Sequence, residues 1–194
     1  MHWHNAMRHD CPGQDYKTMH MKEDKRSPEN LRAKLLPGIF IIFILIVLDQ
    51  LTKILAVHFL GGGQKVILIP GVLELTLIHN SGAAFGILQN AMVFFFIITA
   101  AALAVIIIIL SRIPSSRRYL PMRLCLFFIA AGAVGNLIDR VVFSYVRDFI
   151  YFSLIDFPVF NVADIYITCA AFAMVCLTLF YYKEENDFSF LSLK

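Results

Sequence analysis

The chain has 194 residues, of which 59% are hydrophobic, and a mean hydropathy of +0.71. Soluble domains use roughly 45–50% apolar residues, so an ordinary soluble globule is excluded. The net charge of +3 informs only through its distribution along the chain.

Residues 1–34 are polar, carry seven Lys/Arg and four of the six histidines, and show no hydrophobic period. The histidine spacing (His2, His4, His9, His20) matches no usual metal-ligand pattern. A disordered cytosolic tail is the expected reading. The rest, residues 35–183, is expected to form one four-helix membrane domain, with 184–194 as a short C-terminal tail. A span needs about 20 mostly apolar residues. Four segments supply them: Leu36 to Leu60, Ile87 to Leu110, Leu120 to Val142 and Phe157 to Tyr182.

The first span is apolar until Asp49, Gln50 and Lys53, and no small-x-small site follows it, so it reads as a retained helix. Gly61-Gly62-Gly63 then leads into Val66 to Ile69, the pair Pro70-Gly71 and the alternating Leu73-Glu74-Leu75-Thr76-Leu77. This pattern predicts a hairpin over about 61–80 with a type II turn. Open sheet edges are not tolerated in lipid, which puts the hairpin at a membrane surface. An edge there could hold an extended peptide by strand addition.

The second span is free of charge from Ala91 to Leu110. The connection after it holds Arg112, Arg117, Arg118 and Arg123 and no acid. By the positive-inside rule that connection and the N-terminal tail are cytoplasmic, and four spans return the C-terminus to the same side. In the third span, Ala131, Gly132 and Gly135 are small enough for close helix approach. The same span contains Asn136, Asp139 and Arg140. Cys125, Cys169 and Cys176 lie in apolar spans and read as packing residues.

At a rise of about 1.5 Å per residue, Asp49 lies about 20 Å above the cytoplasmic edge and Asp139 about 23 Å. Asp164, counted down from Phe157, falls in the same outer layer. Asn80 and Asp148 reach that layer from the outer connections. Asp49 and Lys53, Asn136 and Arg140, and Asn161 and Asp164 share helix faces by spacing. Asp139 and Arg140 point about 100° apart, so each needs a partner from another segment. Asp49, Lys53, Asp139 and Arg140 read chiefly as buried pairing groups that fix helix packing. Intramembrane charges cost about 2.5–3.5 kcal/mol each on insertion scales and usually mark function.

No histidine accompanies these carboxylates, so a metal centre is not expected. Ser81-Gly82 has no histidine placed to act as its base. Two aspartates sharing a low-dielectric site remain, one protonated and one ionised, an arrangement suited to amide hydrolysis. Spacing alone leaves the pair open among Asp49, Asp139, Asp148, Asp156 and Asp164.

The segments Asp49-Gln50-Leu51-Thr52-Lys53, Asn80-Ser81-Gly82-Ala83-Ala84-Phe85, Gly135-Asn136-Leu137-Ile138-Asp139-Arg140, Val146-Arg147-Asp148-Phe149-Ile150 and Phe160-Asn161-Val162-Ala163-Asp164 together resemble the ordered motif set of bacterial lipoprotein signal peptidase, or signal peptidase II. The resemblance covers about residues 36–182. It implies an all-α membrane protease of four transmembrane helices with a small extracytoplasmic β-hairpin or cradle, acting at the outer face of the bacterial inner membrane. It implies catalytic roles for Asp148 and Asp164, with Asp49, Lys53, Asn80, Gly82, Asn136, Asp139, Arg140 and Asn161 binding substrate or supporting the site. The implied substrates are prolipoproteins carrying a diacylglyceryl-modified cysteine. No cofactor, metal or nucleic acid is expected, membrane lipids surround the protein, and the expected state is a monomer. One departure is Ser144, where the family commonly has glycine. Rival readings are a proton- or ion-coupled transporter, since intramembrane carboxylates also make proton relays, and a non-enzymatic scaffold.

Overall fold

A computed structural model describes residues 28–82, 92–184 and 187–192, with side chains from residue 36. The expected disorder of residues 1–27, and the motif and span residues 83–91, lie outside the described residues. Among the described residues, one compact unit begins at Gly38, and residues 28–37 fall outside it.

Helix α1 is Pro28–Leu60, so residues 28–34, expected to be irregular, are helical. Pro28 is tolerated as the first helical residue because an N–H there has no intrahelical partner. After α1 come β1 (Lys65–Ile69), β2 (Leu73–Asn80), α2 (Met92–Arg112), α3 (Leu120–Phe143), β3 (Val146–Phe152) and α4 (Val162–Cys176). A π turn, Leu177–Tyr181, extends α4. Four helical segments are long and apolar enough to cross a membrane: Leu36–Leu60, Met92–Arg112, Arg117–Phe143 and Val162–Tyr181. Their outward faces carry exposed apolar side chains such as Val93, Ile107 and Phe172, as a lipid solvent requires.

The hairpin forms where its pattern predicts. Val72 N–H donates to Ile69 O across Pro70-Gly71 at 3.0 Å, and Gly71 has φ 72°, the conformation a type II turn demands at its third position. The sheet nevertheless has three strands, in the order β1-β2-β3. β3 pairs antiparallel with β2, setting His79 opposite Arg147 and Asn80 opposite Val146. Its other edge is covered by Phe160, which exchanges hydrogen bonds with Ile150. Ala56, Leu60 and Phe149 seat the sheet on α1, with Leu75, Leu77 and Val162 around them.

Phe157 was expected to begin the fourth helix, but α4 starts at Val162, with Asn161 as its cap. Asp164 therefore occupies the first helical turn instead of lying well below the helix start. Glycines in α3 permit close packing. A Cβ on Gly132 would collide with Ala163 O, and one on Gly135 would stand 2.6 Å from Asp49 Oδ2.

The C-terminal residues, unreadable in sequence, form an aromatic clasp. Tyr119 stacks on Tyr182 with centroids 5.5 Å apart and meets Phe190 edge-on at 5.6 Å. Arg118 clamps Asp187 through Nε at 2.8 Å and Nη2 at 2.7 Å, and Tyr119 OH donates to Asp187 O at 2.9 Å.

Ser144 ends α3 with φ 66° and its N–H on Arg140 O. A left-handed residue with a side chain costs roughly 1–2 kcal/mol, a cost that glycine at this position would avoid. Ser144→Gly is expected to stabilise the fold by about 0.5–1 kcal/mol after the entropy cost of glycine. Thermal unfolding of the purified protein in detergent checks this; an unchanged or lower midpoint would contradict it.

Candidate active site

The strand and helix ends deliver two carboxylates to one cavity. β2–β3 pairing brings Asn80 to Asp148, and its Nδ2 donates to Asp148 Oδ2 at 2.8 Å. The Phe160–Ile150 bridge then sets Asn161 beside the same carboxylate, with Nδ2 donating to Asp148 Oδ1 at 2.6 Å. Asn161 is also half of a capping box. Its Oδ1 accepts Asp164 N–H at 3.1 Å, and Asp164 Oδ2 accepts Asn161 N–H at 3.1 Å. Asn136 completes the link from α3, donating from Nδ2 to Asp164 Oδ1 at 2.8 Å. All four carboxylate oxygens of Asp148 and Asp164 thus accept an N–H.

Asp148 is only 2% exposed, whereas Asp164 is half-buried. Burial pushes the Asp148 carboxyl up to about 6, against the pull of the Asn80 and Asn161 donors; the neighbouring Asp164 adds to the rise and Lys53 opposes it. Both carboxylates line a cavity of about 380 Å³ with Asn80, Gly82, Asn136 and Arg140. The rest of the wall is mainly apolar: Phe157, Pro158, Val159, Ile165 and Cys169. Cys169, read from sequence as a packing residue, is instead exposed to this cavity. Arg140 lies over the Phe95 ring, 4.4 Å from its centroid, and donates to Gly82 O at 3.4 Å.

Beneath this pair lies a second cluster. Lys53 and Asp49 are both fully buried and pair at 2.9 Å, while Lys53 stands 3.6 Å from Asp139. Asp139 does not pair with Arg140. Its partner is Arg147, which reaches it through Nη2 at 2.6 Å, Nε at 3.1 Å and its backbone N–H at 3.0 Å. Gln50 stitches the group together, donating to Asp49 Oδ2 and Asp139 Oδ1 at 3.1 Å each and accepting from Arg147 at 2.8 Å. Two acids balance two bases, which is what a buried charge cluster requires. Gln50 was marked in the sequence only as a polar interruption of the first span, and neither it nor Arg147 was among the candidate site residues. The available signal was that Asp139 lacked a base able to face it. Asp156 is excluded by position: it is exposed and accepts the Tyr151 hydroxyl. Among the described residues no group of three or more His, Cys, Asp or Glu is placed to hold a metal.

Membrane-crossing helices, a small surface sheet and a carboxylate-lined cavity define a polytopic membrane enzyme. Residues 41–180 match the family model described as Signal peptidase (SPase) II. The chain is 48% identical over 143 residues to the lipoprotein signal peptidase of Brevibacillus brevis, covering 74% of this chain and 94% of that protein. It is 36% identical over 146 residues to that of Streptococcus pyogenes serotype M5, covering 75% and 92%. A solved bacterial membrane enzyme superposes with a TM-score of 0.67 at 33% identity, covering 77% of this chain and 92% of its own. The chain belongs to the signal peptidase II family and is a multi-pass membrane protease. The transporter reading finds no support in these comparisons.

Proposed function

We propose that the protein is an aspartyl endopeptidase that removes the signal peptide of diacylglyceryl-modified prolipoproteins, with Asp148 and Asp164 as its catalytic pair. The observation that carries this reading is that both carboxylates line one cavity, each with both oxygens engaged by N–H donors. Half-buried Asp164 takes a proton from water as the oxygen attacks the scissile carbonyl carbon, and Asp148 gives its proton to the carbonyl oxygen. The tetrahedral diol then collapses. The C–N bond breaks, the proton on Asp164 passes to the leaving nitrogen, and a diol hydroxyl returns a proton to Asp148. Arg140, Asn80 and Gly82 flank the path of the substrate backbone, and the apolar wall suits lipid-bearing substrate. Cleavage of a purified diacylglyceryl-modified prolipoprotein in detergent tests the function; absence of cleavage before the modified cysteine would refute it.

Proton placement fixes a pH dependence. The groups facing Asp148 are Asn80, Asn161, Asp164, Lys53 and Arg140. Because the Asp148 carboxyl is raised to about 6, it is neutral below that pH and charged above it. The pair loses its shared proton as pH rises through this value, so kcat/KM is expected to fall toward a tenfold loss per unit. A kcat/KM that instead climbs through pH 6 to a plateau would reverse the two roles.

The same reading sets the active site on the outer face, with both termini cytoplasmic, because the Arg-rich 112–123 connection marks the inner side. Single cysteines at Gln64 and Ser116, in a background with the native cysteines replaced, test it. Gln64 is chosen over Gly62, whose φ of 82° disfavours a side chain. An impermeant thiol reagent should label Gln64→Cys on intact cells and spare Ser116→Cys; the opposite pattern inverts the topology.

A further inference from the structure

Three described arginines lie over aromatic rings, and two of them are also held by a carboxylate. Arg118, over Tyr181 and Tyr182, pairs with Asp187, and Arg147, over Phe143, pairs with Asp139. Arg140 is the exception. It forms no ion pair with any described carboxylate, although Asp148 and Asp164 line the same cavity and both attract it. Among the described residues, what holds it is the Phe95 ring, whose centroid lies 4.4 Å from the guanidinium carbon, and a long hydrogen bond of 3.4 Å to Gly82 O. Phe95 lies in α2 and is half-buried, whereas its neighbours Phe94 and Phe96 are 44% and 52% exposed.

A ring face attracts a cation but offers no lone pair to its N–H groups. A carboxylate would instead take two of the five guanidinium donors in a fork. We propose that Phe95 is a positioning residue: its ring holds Arg140 at the cavity wall and off the aspartate pair, so that guanidinium N–H groups stay available to carbonyl oxygens of the substrate backbone. This rests on the proteolytic site proposed above. With the attraction of the ring removed, Arg140 turns toward the carboxylates, and the same movement withdraws donors from the substrate and sets a cation on the base. Filling the space beside α3 needs only an apolar side chain. Holding a cation without occupying its hydrogens needs the face of an aromatic one.

The test alters the charge of the ring face and leaves its shape. Phe95 is replaced during synthesis by mono-, di- and trifluorophenylalanine, which withdraw electron density from the face stepwise. The purified proteins are assayed for kcat/KM per folded molecule on a diacylglyceryl-modified prolipoprotein. The value is expected to fall with each added fluorine, by about threefold to tenfold at the third. Phe95→Leu should match or exceed that loss, and Phe95→Tyr, which keeps the face, should stay within about twofold of the parent. Trifluorophenylalanine in place of the exposed Phe96 should change nothing. A kcat/KM independent of fluorine number, or an equal loss at Phe96, would overturn the proposal. So would failure of the fluorinated proteins to fold, which would make the contact one of stability. Absence of cleavage by the unaltered protein would instead refute the proteolytic site, so the two failures are distinguishable.

Discussion

Asparagine in place of Asp148 or Asp164 is expected to reduce turnover by about 10³-fold or more, because one variant lacks the transferable proton and the other lacks the base. Neither replacement is silent for structure. Both oxygens of each carboxylate accept N–H donors, so an amide must turn one of its own N–H groups toward a donor. At Asp164 the donors are Asn136, whose oxygen is committed to Lys53, and the Asn161 backbone. Such a mismatch costs roughly 1–3 kcal/mol, so cleavage must be measured per folded, inserted molecule. Substrate binding should change far less, because lipid-bearing substrate would meet Phe157, Val159 and Ile165. Near-normal turnover in either variant would remove that residue from the pair.

Asp139→Asn should act differently, by preventing accumulation of the protein. Arg147 is 5% exposed and has Asp139 as its carboxylate partner. Removing one member of a buried pair costs about 3–5 kcal/mol, a large share of the stability of a domain this size. The double variant Asp139→Asn with Arg147→Gln deletes both charges and keeps hydrogen-bonding groups, leaving Asp49 with Lys53 as a neutral pair. It should accumulate better than the single variant. Immunoblots of membrane fractions at matched expression measure this, and a double variant no better than the single would show that packing, not charge, is what Asp139 supplies.

Much of the site was legible because polar and charged residues in apolar spans are conspicuous: Asp49, Lys53, Asn136, Asp139 and Arg140 all interrupt otherwise apolar runs. Choosing Asp148 and Asp164 needed the resemblance, since depth and spacing treated five aspartates alike. β3 was not legible. Val146-Arg147-Asp148-Phe149-Ile150 has no alternation, because both faces are covered, and its strand character depends on β2 and Phe160. The start of α4 was misread because Phe157 to Phe160 is apolar, although Pro158 and the Asn161-x-x-Asp164 spacing together signal a helix beginning at Val162. The clasp depends on pairings such as Arg118 with Asp187, 69 residues apart, which no local pattern encodes.

The pairing pattern of the lower cluster also bears on how the chain enters the bilayer during synthesis. Lys53 meets Asp49 one helical turn away, and Arg147 meets Asp139 eight residues away. Each base is therefore made within moments of its acid, from the same short stretch of the nascent chain. An unpaired charge within the bilayer costs up to about 2.5–3.5 kcal/mol, and neither half of the molecule needs to carry one while waiting for the other. The first span can be released to lipid before the third exists, and Gln50 then joins two units that were already neutral when they met.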